Sequence, residues 1–489
     1  MFMSFRKNVF FSLILLITSL SCAVAQRTGP ARIAITNVTV VDVVAGQSLP
    51  AMTVVINGER IEAIAKHAEQ AVPKGARVID GTGKFLIPGL WDMHTHFTSD
   101  RSTLDLFLAH GVTGVRDMGS IALRRTGNQV DYLPRDEAIK EIVQTRDDVL
   151  SGKLLGPRIF TGGMIVTGPN PNNPSAPAAP HQIVVRTEAE ARSTVNKLAD
   201  MRVDFIKVHA RLSRETFLAI IDEAKKRRLP VVGHVPLSVD PMIVSEAGQK
   251  SIEHLTGVWE YAHKGLPTSG GMNPKRFKTE IDEFRKNGTW QVPTLVSYLA
   301  GAEAYRTANN PDTEPALDYV VPELVLRWKG DWSLSEFTPE QSKGFRDSVK
   351  ILQEMTAELK KGNVGILAGS DFAGIFTYAG ESLHKELELL KEAGLTPMET
   401  LQAATIRPAE FLGIDKETGS ITRGKAADLV VLRSDPLQDI RNAKAIEAVF
   451  VKGQLLDRTR LDSLLKRVAE RAKPSRQMMK TVPWAAPRS

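Results

Sequence analysis

Short apolar runs alternate with amphipathic stretches through the middle of the chain, the pattern that repeated βα units and a parallel sheet produce. Eight runs read as strands: Leu90 to His96, Val112 to Met118, Arg158 to Thr161, Phe205 to His209, Val231 to His234, Ser251 to His254, Gln291 to Leu295 and Val364 to Ala368. Eight strands are what a closed (β/α)8 barrel needs, and such a barrel carries its site at the C-terminal strand ends. On both sides of this region the pattern changes to short β-rich runs separated by turns. Ile33 to Thr36, Val38 to Val43, Met52 to Ile56 and Arg60 to Ile64 precede it, with Asn57-Gly58 as a tight hairpin turn. Similar runs return at Gly419 to Ile421, Ala427 to Leu432 and Ala448 to Gly453. One small sheet domain assembled from both ends satisfies these runs best.

The predicted organisation is a leader over 1–25, the first part of the sheet domain over 28–86, the barrel over 87–408, the second part of the sheet domain over 409–460 and a tail over 461–489. Two connections are too long for plain barrel loops. One, from Thr167 to Pro180, is rich in Pro and Asn; the other, from Tyr298 to about Gly362, reads largely helical, as over Pro339 to Lys360. Long loops at the active face commonly act as lids. Tyr298 is therefore taken as a substrate contact.

Arg6 and Lys7 precede an apolar run, Val9 to Leu20, and Ala23-Val24-Ala25 supplies the small residues of an export cleavage site. The run is too short for a comfortable membrane span, so no integral span is expected and the protein is placed in the periplasm or outside the cell. Cleavage after Ala25 would remove Cys22, the one cysteine, leaving stability to packing and metal rather than disulfides. A lipoprotein acylated on Cys22 is the alternative, with Ser19 standing where such signals usually have an aliphatic residue. With 489 residues and 42% hydrophobic content the chain can bury a large core; its formal charge of +7 is spread rather than blocked, which argues against a nucleic-acid partner. A homo-oligomer remains open.

Candidate chemistry sits at the strand ends. His94 and His96 alternate onto one face of a strand, about 6.7 Å apart, where two imidazoles can converge on a metal. Alone, the pair reads equally well as solvated histidines. Lys207 and His209 share a face in the same way, and burial beside positive charge would favour the neutral amine of Lys207; a salt bridge to a barrel carboxylate is the other reading. His209 is a substrate or supporting contact, or a packing residue. His234 and His254 close two short apolar runs, and Asp371 follows the eighth. Neutral imidazole suits zinc, although core histidines and a capping aspartate would look the same. His110 is expected to position the second strand, and His181, His263 and His384 to lie on the surface or in lids. The chain has no glycine-rich phosphate loop, no Cys-x-x-Cys pair and no Gly-x-Ser-x-Gly elbow.

Pro88-Gly89-Leu90-Trp91-Asp92-Met93-His94-Thr95-His96 resembles the first-strand motif of the amidohydrolase superfamily, metal-dependent hydrolases built on a (β/α)8 barrel. Gly424-Lys425-Ala426-Ala427-Asp428-Leu429-Val430-Val431 is similar to its C-terminal signature, and the resemblance implies that the sheet domain is a composite β-sandwich. It implies further that His94, His96 and Asp371 hold one divalent metal, most naturally zinc, and His234 and His254 a second. Lys207, carboxylated by carbon dioxide, would bridge the two, and Asp371 would serve as general base and then protonate the leaving group.

Within the superfamily the chain is similar to the imidazolonepropionase-like and prolyl-dipeptidase-like branch. The resemblance therefore implies cleavage of an amide bond in a small molecule such as a dipeptide or an N-acyl amino acid. A cyclic amide hydrolase like imidazolonepropionase, a lactone or phosphotriester hydrolase, and a secreted binding protein without catalysis are the alternatives. Lys207 and the export segment count against the first, and the intact ligand positions against the last.

Overall fold

The computed structural model describes residues 32–262 and 272–486. The expected leader with Cys22, and His263, lie outside the described residues.

Strands from the two ends of the chain interleave in one eight-stranded sheet. In order it runs Gln454–Asp457, Ile446–Val451, Leu429–Leu432, Phe85–Pro88, Ile33–Asp42, Gln47–Asn57 and Arg60–Lys66, with Arg77–Asp80 also paired to Ile33–Asp42. The seam is antiparallel, with Leu429 opposite Pro88 and Leu432 opposite Phe85. At the hairpin Asn57 pairs with Arg60, and Gly58 supplies the positive φ of 57° that the turn requires. The two expected runs Ile33 to Thr36 and Val38 to Val43 are one strand, Ile33–Asp42, with register shifts near Asn37, whose φ is 54°. The far edge bends back toward the seam: Ile61 N–H donates to the Lys425 carbonyl at 2.9 Å and Gly424 N–H to the Ile61 carbonyl at 2.8 Å. Ile35, Val54, Leu86, Leu429, Val431 and Phe450 fill the concave side, each side chain contributing about 1.5 to 3 kcal/mol when fully buried.

Apart from the antiparallel hairpin Leu123–Thr126 with Gln129–Tyr132, the ladders in the middle of the chain are parallel. One sheet orders Arg158–Thr161, Val112–Asp117 and Leu90–Thr95; another orders Gln182–Val184, Ile165–Thr167, Ile206–Val208, Val231–Gly233, Ser251–Glu253 and Trp290–Val292. Backbone bonds join the two on both sides. Asp204 N–H donates to the Thr161 carbonyl at 2.8 Å. On the other side the segment 365–371 is held between Trp290–Val292 and Leu90–Thr95. Gln291 N–H donates to the Gly365 carbonyl at 2.8 Å, Met93 N–H to Ala368 at 2.9 Å and Asp371 N–H to His94 at 2.8 Å. The expected strand Val364 to Ala368 is thus present as a single bridge, Gln291 to Ile366, rather than a ladder. Gly369 allows the close approach, because a Cβ there would stand 2.8 Å from the His94 Cβ.

Helices pack outside these strands. Leu295–Asn309 begins where the seventh strand was expected to continue, since the ladder ends at Val292. Pro339–Lys361 is capped by Thr338 and Gln341, with proline in its first turn. The segment expected as a tail forms the helix Arg458–Thr481, which buries Leu461, Leu464 and Val468. Arg467 pairs with Asp105 at 2.7 Å and Arg471 with Asp100 at 2.5 Å, tying it to the start of Ser102–Ala109. Among the described residues no helix is long and apolar enough to cross a membrane.

Candidate metal centre

Five imidazoles stand in a row where the parallel strands end. Ring centroids are 5.3 Å apart from His96 to His94, 4.5 Å from His94 to His254, 5.1 Å from His254 to His234 and 4.2 Å from His234 to His209. Asp371 meets one end of the row: its Oδ1 lies 3.4 Å from His94 Nε2 and 3.3 Å from His96 Nε2. Ligand atoms of these three residues fall within 4.8 Å of one another, close enough to share one ion.

The outer nitrogens are already committed. His94 Nδ1 donates to Glu253 Oε2 at 2.8 Å, His96 Nδ1 to the Gly119 carbonyl at 2.9 Å and His254 Nδ1 to Thr294 Oγ1 at 2.5 Å. The Thr294 hydroxyl spends its own proton on the Pro293 carbonyl at 2.8 Å, so it accepts from the ring. Each arrangement fixes the tautomer with a lone pair on Nε2, the usual preparation for metal ligation. His94 Nε2 is buried and has no hydrogen-bond partner among the described residues, and neither has Lys207 Nζ. Two orphaned nitrogens in a buried cluster are costly unless something else satisfies them, so the donor set fits a divalent metal.

Electrostatics point the same way. Burial lowers His94 and His234 well below the ordinary histidine value, and His254 to about 4, so all three are neutral donors at neutral pH. Burial also brings the Lys207 amine down to about 8. For Asp371 burial pushes upward, but His254, His96 and His94 outweigh it and hold the carboxyl far below the usual range. Positive φ angles of 60° at His254, 48° at Thr294 and 57° at Asp371 place three residues of the cluster in the left-handed region, a concentration of backbone strain typical of functional sites.

A profile of the Amidohydrolase family matches residues 85–456. The chain belongs to the amidohydrolase family. It is 21% identical to an imidazolonepropionase from Flavobacterium johnsoniae over 398 residues, 78% of this chain and 86% of the relative. An adenine deaminase from Mesorhizobium japonicum is 32% identical over 441 residues, and this chain spans 59% of its length. Among solved structures, a candidate prolidase from Bifidobacterium longum superimposes with a TM-score of 0.66 at 27% identity, covering 90% of this chain and 99% of that one. Members of this amidohydrolase family are metal-dependent hydrolases, which agrees with the donor cluster.

All six positions anticipated as metal ligands, His94, His96, Lys207, His234, His254 and Asp371, lie in or beside this cluster. His209 stacks on His234, with its Nδ1 buried and unpartnered among the described residues. Tyr298 donates its hydroxyl to the His254 carbonyl at 3.3 Å, and the two residues line a cavity of about 230 Å³ together with Trp259 and Glu260. His181, expected on the surface or in a lid, is half-buried just after the Thr167 to Pro180 connection and faces Tyr132 with ring centroids 6.3 Å apart. His384 is 2% exposed and donates from Nε2 to the His110 carbonyl at 2.9 Å, an anchor between two helices rather than a lid residue.

Glu253, Arg116, Thr294 and Asp92 were not anticipated. Arg116 reaches both Glu253 oxygens at 2.9 Å, and Ser251 Oγ donates to Oε1 at 2.6 Å. Asp92 accepts from Ser370 Oγ at 2.5 Å and from Ser370 N–H at 2.9 Å, fixing the residue before Asp371. For Glu253, Arg116 and Asp92 the signal is charge inside runs otherwise apolar enough to be buried strands.

Proposed function

We propose that this chain is an exported, binuclear metal-dependent hydrolase that cleaves a carbon-nitrogen bond in a small substrate such as a dipeptide or an N-acyl amino acid. The observation that carries the reading is the row of imidazoles ending at Asp371, in which His94, His96 and His254 have committed Nδ1 protons. On this reading the two parallel sheets and segment 365–371 form one (β/α)8 barrel over 87–408, and the terminal strands form the composite sandwich. His94, His96 and Asp371 would hold one ion and His234 and His254 the other, with zinc the natural choice for this donor set. Carboxylated Lys207 would lie between them: its neutral amine attacks carbon dioxide, forming a C–N bond and releasing one proton to solvent. The orphaned, buried Nζ supports this, because an anionic carbamate would satisfy it where an ammonium finds no partner.

When bound, the divalent metals supply Lewis acidity, lowering the pKa of water and polarising a carbonyl. Asp371 accepts the proton of the attacking water and delivers it to the leaving nitrogen. His209 and Tyr298 contact the substrate. Likeness to the candidate prolidase supports an acyclic amide, and likeness to imidazolonepropionase keeps a cyclic amide as the second reading. The test is a hydrolysis screen of metal-loaded enzyme against dipeptides, N-acyl amino acids, cyclic amides, adenine, lactones and phosphotriesters. Highest kcat/KM on an acyclic amide is expected. Turnover confined to lactones, phosphotriesters or adenine would overturn the substrate class. Export predicts a mature N-terminus at Gln26, readable by mass spectrometry of the cell-derived protein; a lipid-modified Cys22 would contradict it.

A further inference from the structure

A second cavity, of about 480 Å³, opens among the helices outside the parallel strands. Its volume falls within the usual range for small-molecule sites. Walls come from Val296, Leu299 and Ala300 on Leu295–Asn309, from Leu106 on Ser102–Ala109, and from Val321 and Leu324 near the start of Pro322–Asp331. None of the metal-centre residues lines it, but Phe372, the residue after Asp371, does. The Phe372 ring packs edge-on against Phe107 at 5.7 Å.

Two features of the lining define a ligand. The charges at its edge are already neutralised: Arg306 pairs with Glu303 at 2.8 Å and Glu314 at 3.4 Å, Glu381 with Lys444 at 3.0 Å and Lys385 with Glu388 at 3.0 Å. No lining cation is left to receive an anion, and an ionic ligand would have to break a pair to be held. Against that stands Tyr378, whose buried hydroxyl has no hydrogen-bond partner among the described residues. A buried hydroxyl without a partner costs about 1 to 3 kcal/mol, so a ligand group that paired with it would recover part of that cost. We propose that this cavity is a second small-molecule site, taking a neutral, mainly apolar ligand that carries one hydroxyl or carbonyl group to pair with Tyr378.

The probe is 1-naphthol, titrated calorimetrically against the full-length, metal-replete protein. One saturable site per chain is expected. Tyr378→Phe, which changes shape little, should weaken 1-naphthol about five- to tenfold, the worth of one hydrogen bond, and leave naphthalene unchanged. Ala316→Trp, at the cavity mouth, should abolish binding of both while leaving metal content and hydrolysis as in the wild type. Competition should rank 1-naphthoate below 1-naphthol. Equal 1-naphthol affinity in Tyr378→Phe, tighter binding of the carboxylate, or no saturable binding would overturn the proposal. So would concentration-dependent self-association that Ala316→Trp removes, since the cavity would then belong to an interface between copies.

Discussion

Glu253 Oε2 stands 2.8 Å from His94 Nδ1, and both side chains are fully buried. The next residue in the chain is His254, so one short strand end orients two of the five imidazoles, one through its carboxylate and one through its backbone. Arg116 keeps Glu253 in place from the other side.

Removing that support should loosen the metal rather than the fold alone. Glu253→Gln keeps the shape but loses the charge that accepts the His94 proton, and an effect of about 10- to 100-fold on metal affinity is typical of such partners. Competition with a chromogenic chelator measures it. Wild-type affinity in Glu253→Gln would show that His94 needs no partner to be oriented.

Asp371→Asn should lower kcat by about 10² to 10⁴, the usual worth of a placed general base, with a smaller change in KM. Added acetate should restore little, because the amide still fills the space that a free carboxylate would need. Steady-state kinetics over a range of acetate concentrations checks both statements.

Glu280 has both carboxylate oxygens buried without a partner among the described residues, and burial, with Asp240 and Glu260 nearby, raises its pKa to about 9. Its folded value lies above the ordinary 4.5, so the contribution is full below that pH and is lost as pH rises toward about 9. Glu280→Gln should therefore gain in Tm relative to wild type as pH goes from acid to alkaline. Thermal melts across that window test it, and a constant difference between the two proteins would contradict it.

An amine reacts with carbon dioxide only when neutral, and the Lys207 pKa of about 8 sets when that form dominates. Reconstitution of metal-free protein with zinc at a fixed concentration of dissolved carbon dioxide should be faster above pH 8 than well below it. Stopped-time activity assays after mixing give the rate; a rate independent of pH would separate assembly from this amine.

Much of the centre was legible because strand alternation and strand ends constrain where side chains can point. His94 with His96, and Lys207 with His209, follow from that rule, while His234, His254 and Asp371 gained their meaning only from the resemblance. The partners were harder to see. Glu253 and Arg116 lie on strands far apart in sequence, and only folding brings Ser251–Glu253 and Val112–Asp117 to the same buried layer. The helix Arg458–Thr481 does carry a spacing, with Leu461, Leu464 and Val468 buried, but its high charge masked the stripe. Val364 to Ala368 reads as a strand from its apolar run, whereas the fold keeps only the single bridge from Gln291 to Ile366 there.

A pair of metal ions sharing a carboxylated Lys207 would show in the metal content of each chain. Elemental analysis of protein purified without chelators should find close to two divalent ions per wild-type chain. Lys207→Ala should hold about one ion and most activity should be gone. Propionate in excess should return part of both, because a free carboxylate can occupy the space the carbamate leaves. Two ions and near-normal turnover in Lys207→Ala, or a reproducible single ion in the wild type, would contradict the binuclear account.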